Sequence, residues 1–168
     1  MKTKTVRFLE RFSPPGMDAA REARQFGAGA IAAFVFSLGF VIRCLNERGN
    51  LFEWNGLENV LIPGSMMPDF TVLLGMSLYG FYILAAAALL MSALRYGYFH
   101  QDGKSIYTMR RLPRPETAKR CLIIPALGAA LSMTAAFIML CLLYLFYLAV
   151  TPAECLPPEQ WQKIWSVI

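Results

Sequence analysis

The sequence predicts an all-α integral membrane protein with three transmembrane helices, and three observations carry that reading. First, 57% of its 168 residues are hydrophobic and only 16% are charged, a balance outside the range of soluble domains. Second, the apolar residues come in blocks: residues 26–42 hold no charge over 17 positions, residues 70–94 none over 25, and residues 121–150 none over 30. A helix crossing the hydrocarbon layer takes roughly 17–25 such residues, so each block qualifies, the third with length to spare for tilt. Third, thirteen of the sixteen Lys and Arg residues fall in two segments, 1–24 and 95–120, while segments 43–69 and 151–168 carry more acids than bases. Short translocated loops are depleted in Lys and Arg, so the amino terminus and the 95–120 loop are expected in the cytoplasm and the carboxyl terminus outside.

The chain is therefore expected to form a single membrane domain, 1–168, with spans at 26–42, 70–94 and 121–150. No short hydrophobic core followed by a small-residue cleavage site precedes the first span, so no cleaved signal peptide is expected. Residues 2–12 pattern as an amphipathic helix, with Val6, Phe8, Leu9 and Phe12 on one arc and Lys4, Arg7, Glu10 and Arg11 on the other. A disordered basic tail has the same composition. Pro14-Pro15-Gly16 ends the segment, and Asp18 is placed to cap the helix that leads into the first span.

Within the spans, small residues recur at four-residue spacing: Gly29, Ala33 and Ser37; Ala88 and Ser92; Gly128, Ser132 and Ala136. Such rows let helix backbones approach closely, because helix association in lipid rests on packing. They predict packing of the spans against each other or a partner. No apolar block contains Asp, Glu, Lys, Arg or His, which argues against an ion-coupled carrier, a proton relay or a channel with a charged filter.

Tryptophans mark the outer side. Trp54 in the 43–69 loop, and Trp161 and Trp165 in the tail after Pro157-Pro158, are expected at headgroup depth as anchors, as Phe8 and Phe12 are on the inner side. A substrate-gripping role for the tryptophans is the rarer alternative.

The 95–120 loop carries seven Lys and Arg against two acids. After Asp102-Gly103, Ser105 is a good N-cap for a short helix over residues 106–112, stopped by Pro113 and Pro115. Ile106, Met109 and Leu112 share one arc, and Tyr107, Arg110, Arg111 and Arg114 the other. That second arc suits an acidic partner, since guanidinium groups bind carboxylates bidentately and stack on rings. A solvated basic loop that only fixes topology would share the charge, but needs neither the cap nor the proline stop.

Here the chain resembles half of a type-2 ABC-transporter export permease. Such a half has an interfacial amino-terminal helix, two spans, a short coupling helix in the first cytoplasmic loop, and a further span. Those permeases carry an acid, Gly-Thr, a run of leucines, then Pro followed by Ser or Arg. Aligned on Pro113, Asp102 stands for the acid, Ser105 for the Thr, Ile106 and Met109 for apolar helix positions, and Arg114 follows the proline. Gly103 falls one place early with Lys104 in its slot, Tyr107, Arg110 and Arg111 replace an acid and leucines, and three spans stand where the family has six. The chain is also similar, more loosely, to small membrane proteins encoded beside ABC-type transporter genes in Gram-positive bacteria.

The resemblance implies a multi-pass protein of a bacterial cytoplasmic membrane. It would dock a separate ATPase through Ser105, Ile106, Tyr107, Met109, Arg110, Arg111, Leu112, Pro113 and Arg114, beside a partner permease or further copies of itself. A structural or regulatory membrane protein that binds a different complex through its spans is the alternative.

Several chemistries are not written in the sequence. No Gly-rich loop ending in Lys-Ser/Thr is present, so the chain is not itself the ATPase. His100 stands alone, and Cys44, Cys121, Cys141 and Cys155 lack zinc-site spacing. Neither a nucleophile elbow nor paired carboxylates occur. A non-enzymatic protein is expected, with membrane lipid as a partner, no cofactor, no metal and no nucleic acid. Cys44 and Cys155 fall on the same expected side, where a disulfide is conceivable, although membrane cysteines are more often buried small hydrophobes. With the loop beneath the bilayer, a Lys104→Cys variant should stay unmodified when intact cells are treated with an impermeant thiol reagent, and react once the membrane is opened.

Overall fold

In the computed structural model the chain is mostly helical; the structure describes residues 18–54, 56–101, 114–160 and 162–163. Its elements run α1 (Ala19–Ser37), α2 (Gly39–Asn50), β1 (Phe52–Trp54), β2 (Asn59–Leu61), α3 (Phe70–Leu74), α4 (Tyr79–Gln101) and α5 (Arg114–Val150), then a 3-10 turn at Ala153–Cys155. Three helical stretches are long and apolar enough to cross a membrane: Ala20–Asn50, Tyr79–Tyr98 and Lys119–Val150.

Each element follows from its local sequence. Asp18 starts α1, its Oδ1 accepting the amides of Ala20 (3.0 Å) and Arg21 (3.2 Å), two of the donors a helix start leaves unpaired. At Leu38 the helix is interrupted. Ser37 Oγ donates back to the Phe34 carbonyl at 2.6 Å, and Gly39 follows. A serine bonded to its own preceding turn loosens the helix there. In α5, Pro115 sits in the first turn, where its missing N–H removes no bond, and Glu116 complements the helix dipole. At about 1.5 Å per residue its 37 residues reach about 55 Å, well beyond a hydrocarbon layer of about 30 Å.

The apolar run 70–94 does not form one helix. Phe70 opens a helix of only 5 residues, and the continuous helix begins at Tyr79 and runs to Gln101. Gly75 makes the break: its φ of +43° lies in a region that side chains rarely adopt, and its amide donates to the Thr71 carbonyl at 3.2 Å. Ser77 and Tyr79 amides then bond to Leu74 and Met76 carbonyls at 2.9 Å, so these amides stay paired across the break.

The chain is mostly helical, as expected, and adds one short antiparallel strand pair, Phe52–Trp54 with Asn59–Leu61. Phe52 pairs with Leu61, Glu53 with Val60 and Trp54 with Asn59. Aromatic and β-branched residues flank a turn in which Gly56 takes a φ of +81°, which is hairpin chemistry. Pro63-Gly64 then makes a turn closed by the Ser65 amide on the Ile62 carbonyl, with Gly64 at a φ of +82°.

Packing divides the chain into two compact units. One holds the described residues of Met1–Ala33 and Phe81–Ala135, the other those of Phe34–Gly80 and Ala136–Ile168. In the second unit the segment 67–70 is tied from several directions. Tyr147 donates its hydroxyl to the Pro68 carbonyl (2.9 Å), and the Met67 amide donates to the Cys155 carbonyl (3.0 Å). Gln160 Oε1 accepts the Phe70 amide at 2.8 Å, while Gln160 Nε2 (2.8 Å) and Lys163 Nζ (3.0 Å) donate to Asp69. The Phe70 ring lies edge-on to Phe40, Tyr144 and Tyr147, with centroids 5.3–5.6 Å away. Cys44 and Cys155 are buried in this unit and carry no disulfide.

Hydrogen bonds from Gln160 and then from Lys163 hold the Asp69 carboxyl below its ordinary value of 3.8. A depressed folded-state value means that this carboxylate stabilises fully above 3.8 and that its contribution is lost as pH falls below it. Asp69→Asn should therefore flatten the acid limb of a stability-against-pH profile in that window. Gln160→Ala strands the Phe70 amide and should cost about 1–3 kcal/mol in unfolding measured in detergent micelles.

Candidate functional site

In the first unit, Phe26 of α1 packs on Ala85 and Ala88 of α4 and Ala129 of α5. Small residues make the approach possible. A Cβ at Gly128 would stand 3.1 Å from Phe26 Cε2, and one at Gly29 would stand 2.8 Å from Leu84 Cδ1. Ser132 Oγ, buried on α5, donates to the Phe81 carbonyl of α4 at 2.8 Å. The four-residue rows thus face inward: Ala33, Ser37, Ala88, Ser92, Ser132 and Ala136 are buried, and Gly29 and Gly128 are half-buried.

These three helices line a half-open cavity of about 420 Å³, the size of a small-molecule pocket. Its walls include Phe26, Leu84, Ala88, Pro125, Gly128 and Leu131, and the only polar side chains lining it are Glu22, Gln25 and Arg95. Arg95 lies eleven residues beyond Leu84 on α4, about three helical turns or 16 Å along the axis. The charged residues therefore hold one end of an otherwise apolar cavity.

At that end, Arg95 Nη2 and Glu22 Oε1 form an ion pair between α4 and α1. The Arg95 side chain is 6% exposed and that of Glu22 21%. Burying charge is costly unless the partner and all remaining polar atoms are satisfied. Here they are not: Arg95 Nε, Arg95 Nη1 and Glu22 Oε2 are buried without a hydrogen-bond partner. Each such atom carries a penalty of about 1–3 kcal/mol, which a ligand with matching groups would relieve.

The sequence-predicted docking residues Ser105, Ile106, Tyr107, Met109, Arg110, Arg111, Leu112 and Pro113 lie outside the described residues, as do Phe8, Phe12, Trp161 and Trp165. Arg114 is the first residue of α5, and Trp54 is an exposed residue of β1. Arg95 and Glu22 are not singled out by sequence, because both lie just beyond the ends of the apolar blocks among the other charges of their segments. The spacing holds a signal: an acid four residues before one block and a base directly after another lie within about one helical turn of each other in depth. Among the described residues no group of three or more His, Cys, Asp or Glu is placed to hold a metal ion.

Compared with family models, with curated proteins and with solved structures, the chain matches none. Its three long apolar helices are compatible with a multi-pass membrane protein.

Removing one member of a buried ion pair leaves the other uncompensated, at about 3–5 kcal/mol, whereas replacing both with apolar residues of similar volume is often neutral. Glu22→Ala and Arg95→Ala should each destabilise the protein more than the double change Glu22→Leu with Arg95→Met. Thermal unfolding of the three variants in one detergent checks this.

Proposed function

We propose that the protein is a non-enzymatic membrane subunit of an ABC-type export system, seated in a bacterial cytoplasmic membrane with its amino terminus inside. The 95–120 loop would dock a separate ATPase, and ATP-driven closure would pass to the spans as rigid-body movement of packed helices. The observation that carries this reading is the loop itself. A basic segment with a helix cap, a two-faced apolar and cationic pattern and a proline stop is confined between two membrane-length apolar stretches. Three spans are too few to enclose a pathway, so the reading requires a partner permease or further copies of the chain.

The rival reading is a structural or regulatory protein that binds another complex through its spans. A lipid-modifying enzyme is disfavoured by the sequence, which carries neither a nucleophile elbow nor paired carboxylates beside its one histidine. Charge reversal at Arg110 and Arg111, both to Glu, should abolish co-purification of an ATPase in mild detergent while leaving membrane insertion intact. Undiminished ATPase recovery with full transport in that double variant would overturn the docking proposal.

A further inference from the structure

We infer that the cavity between α1, α4 and α5 is a phospholipid site. One acyl chain lies along the apolar wall, the phosphodiester meets Arg95, and a headgroup hydroxyl or ammonium donates to Glu22 Oε2. This stands apart from the ATPase proposal and survives its failure.

Four observations converge on that ligand. The cavity wall is hydrocarbon for about three helical turns and polar only at one end, the shape of an amphiphile. At the polar end the guanidinium is more than nine-tenths buried, and two of its nitrogens have no partner. A phosphate oxygen accepts from one of them, and phosphate is a strong acceptor for arginine. Glu22 Oε2 adds a demand for a donor, because it too is buried and unpartnered. Finally, Glu22 precedes the apolar run 26–42 and Arg95 directly follows the run 70–94. Both charges therefore sit at the depth of lipid headgroups, with the apolar wall extending toward the acyl chains.

These demands exclude several occupants. An ionised fatty acid fills the arginine but brings no donor for Glu22. A phosphocholine lipid brings the phosphate, and its quaternary ammonium has no N–H. A phosphodiester with a glycerol hydroxyl or a primary ammonium meets both. The two headgroups share this chemistry and are separated by experiment.

The full-length protein is reconstituted in nanodiscs containing equal amounts of phosphatidylglycerol, phosphatidylethanolamine and phosphatidylcholine with identical chains. It is then moved to mild detergent, and retained lipid is quantified by mass spectrometry, with oleate as a competitor. Phosphatidylglycerol or phosphatidylethanolamine should be retained at least about tenfold over phosphatidylcholine, as one charge-assisted hydrogen bond permits. The preferred headgroup identifies the donor as hydroxyl or ammonium. Arg95→Gln should abolish retention, and Glu22→Gln should reduce the preference over phosphatidylcholine to near unity.

Should either variant fail to fold, Ala87→Phe decides. Ala87 is an exposed residue lining the cavity, and a phenyl ring there blocks the acyl slot without touching the ion pair. Its retained lipid should fall about tenfold at unchanged thermal stability of the lipid-free protein. Equal retention of the three lipids by the wild type, displacement by oleate, or full retention by Ala87→Phe overturns the proposal.

Discussion

A backbone amide or carbonyl in hydrocarbon has no water to turn to, and that constraint shapes every part of this protein. Helices meet it internally, which is why charge-free blocks become helices at all. More instructive are the places where the helix stops. At Leu38 the amide bonds to the Phe34 and Val35 carbonyls, and at Gly75 the chain turns with its amide still bonded to Thr71. Between Met67 and Phe70, where no helix supplies partners, Tyr147, Cys155 and Gln160 supply them.

Charge obeys a related rule with a different outcome. The bases of the sequence sort to two segments, yet Arg95 is not free in water: helix α4 continues past the apolar block and carries it inside, onto Glu22. The pair joins two helices in the unit that holds the cavity, and its unmet atoms make one end of that cavity polar. Adhesion between helices and affinity for an outside molecule thus arise from the same two side chains. A pair with every polar atom satisfied would serve the first purpose and be useless for the second.

Much of this was legible in the sequence, and what was not has identifiable causes. Uncharged blocks announce span-length helices by length alone, Asp18 reads as a cap from its position, and four-residue rows of small residues point to the faces that are buried. Gly75 was hidden because a glycine inside a uniformly apolar run carries no periodicity to interrupt. The strands Phe52–Trp54 and Asn59–Leu61 are not legible in the sequence, since at three residues each they are too short for alternation to register. The burial of Arg95 is not legible either, because a charge count gives its sign and not its depth. The Asp69 clamp was beyond local reading altogether, because Gln160 and Lys163 lie more than ninety residues away in the chain.

That same separation has a consequence for biosynthesis. At about 5–20 residues per second, some 5 to 18 seconds pass between the emergence of Asp69 from the ribosome and that of Gln160, 91 positions later. Throughout that interval the Phe70 amide is without its native acceptor, and water or the insertion machinery must stand in. Folding of the α3 region is therefore provisional: the short helix is made early and locked only by sequence that has yet to be translated.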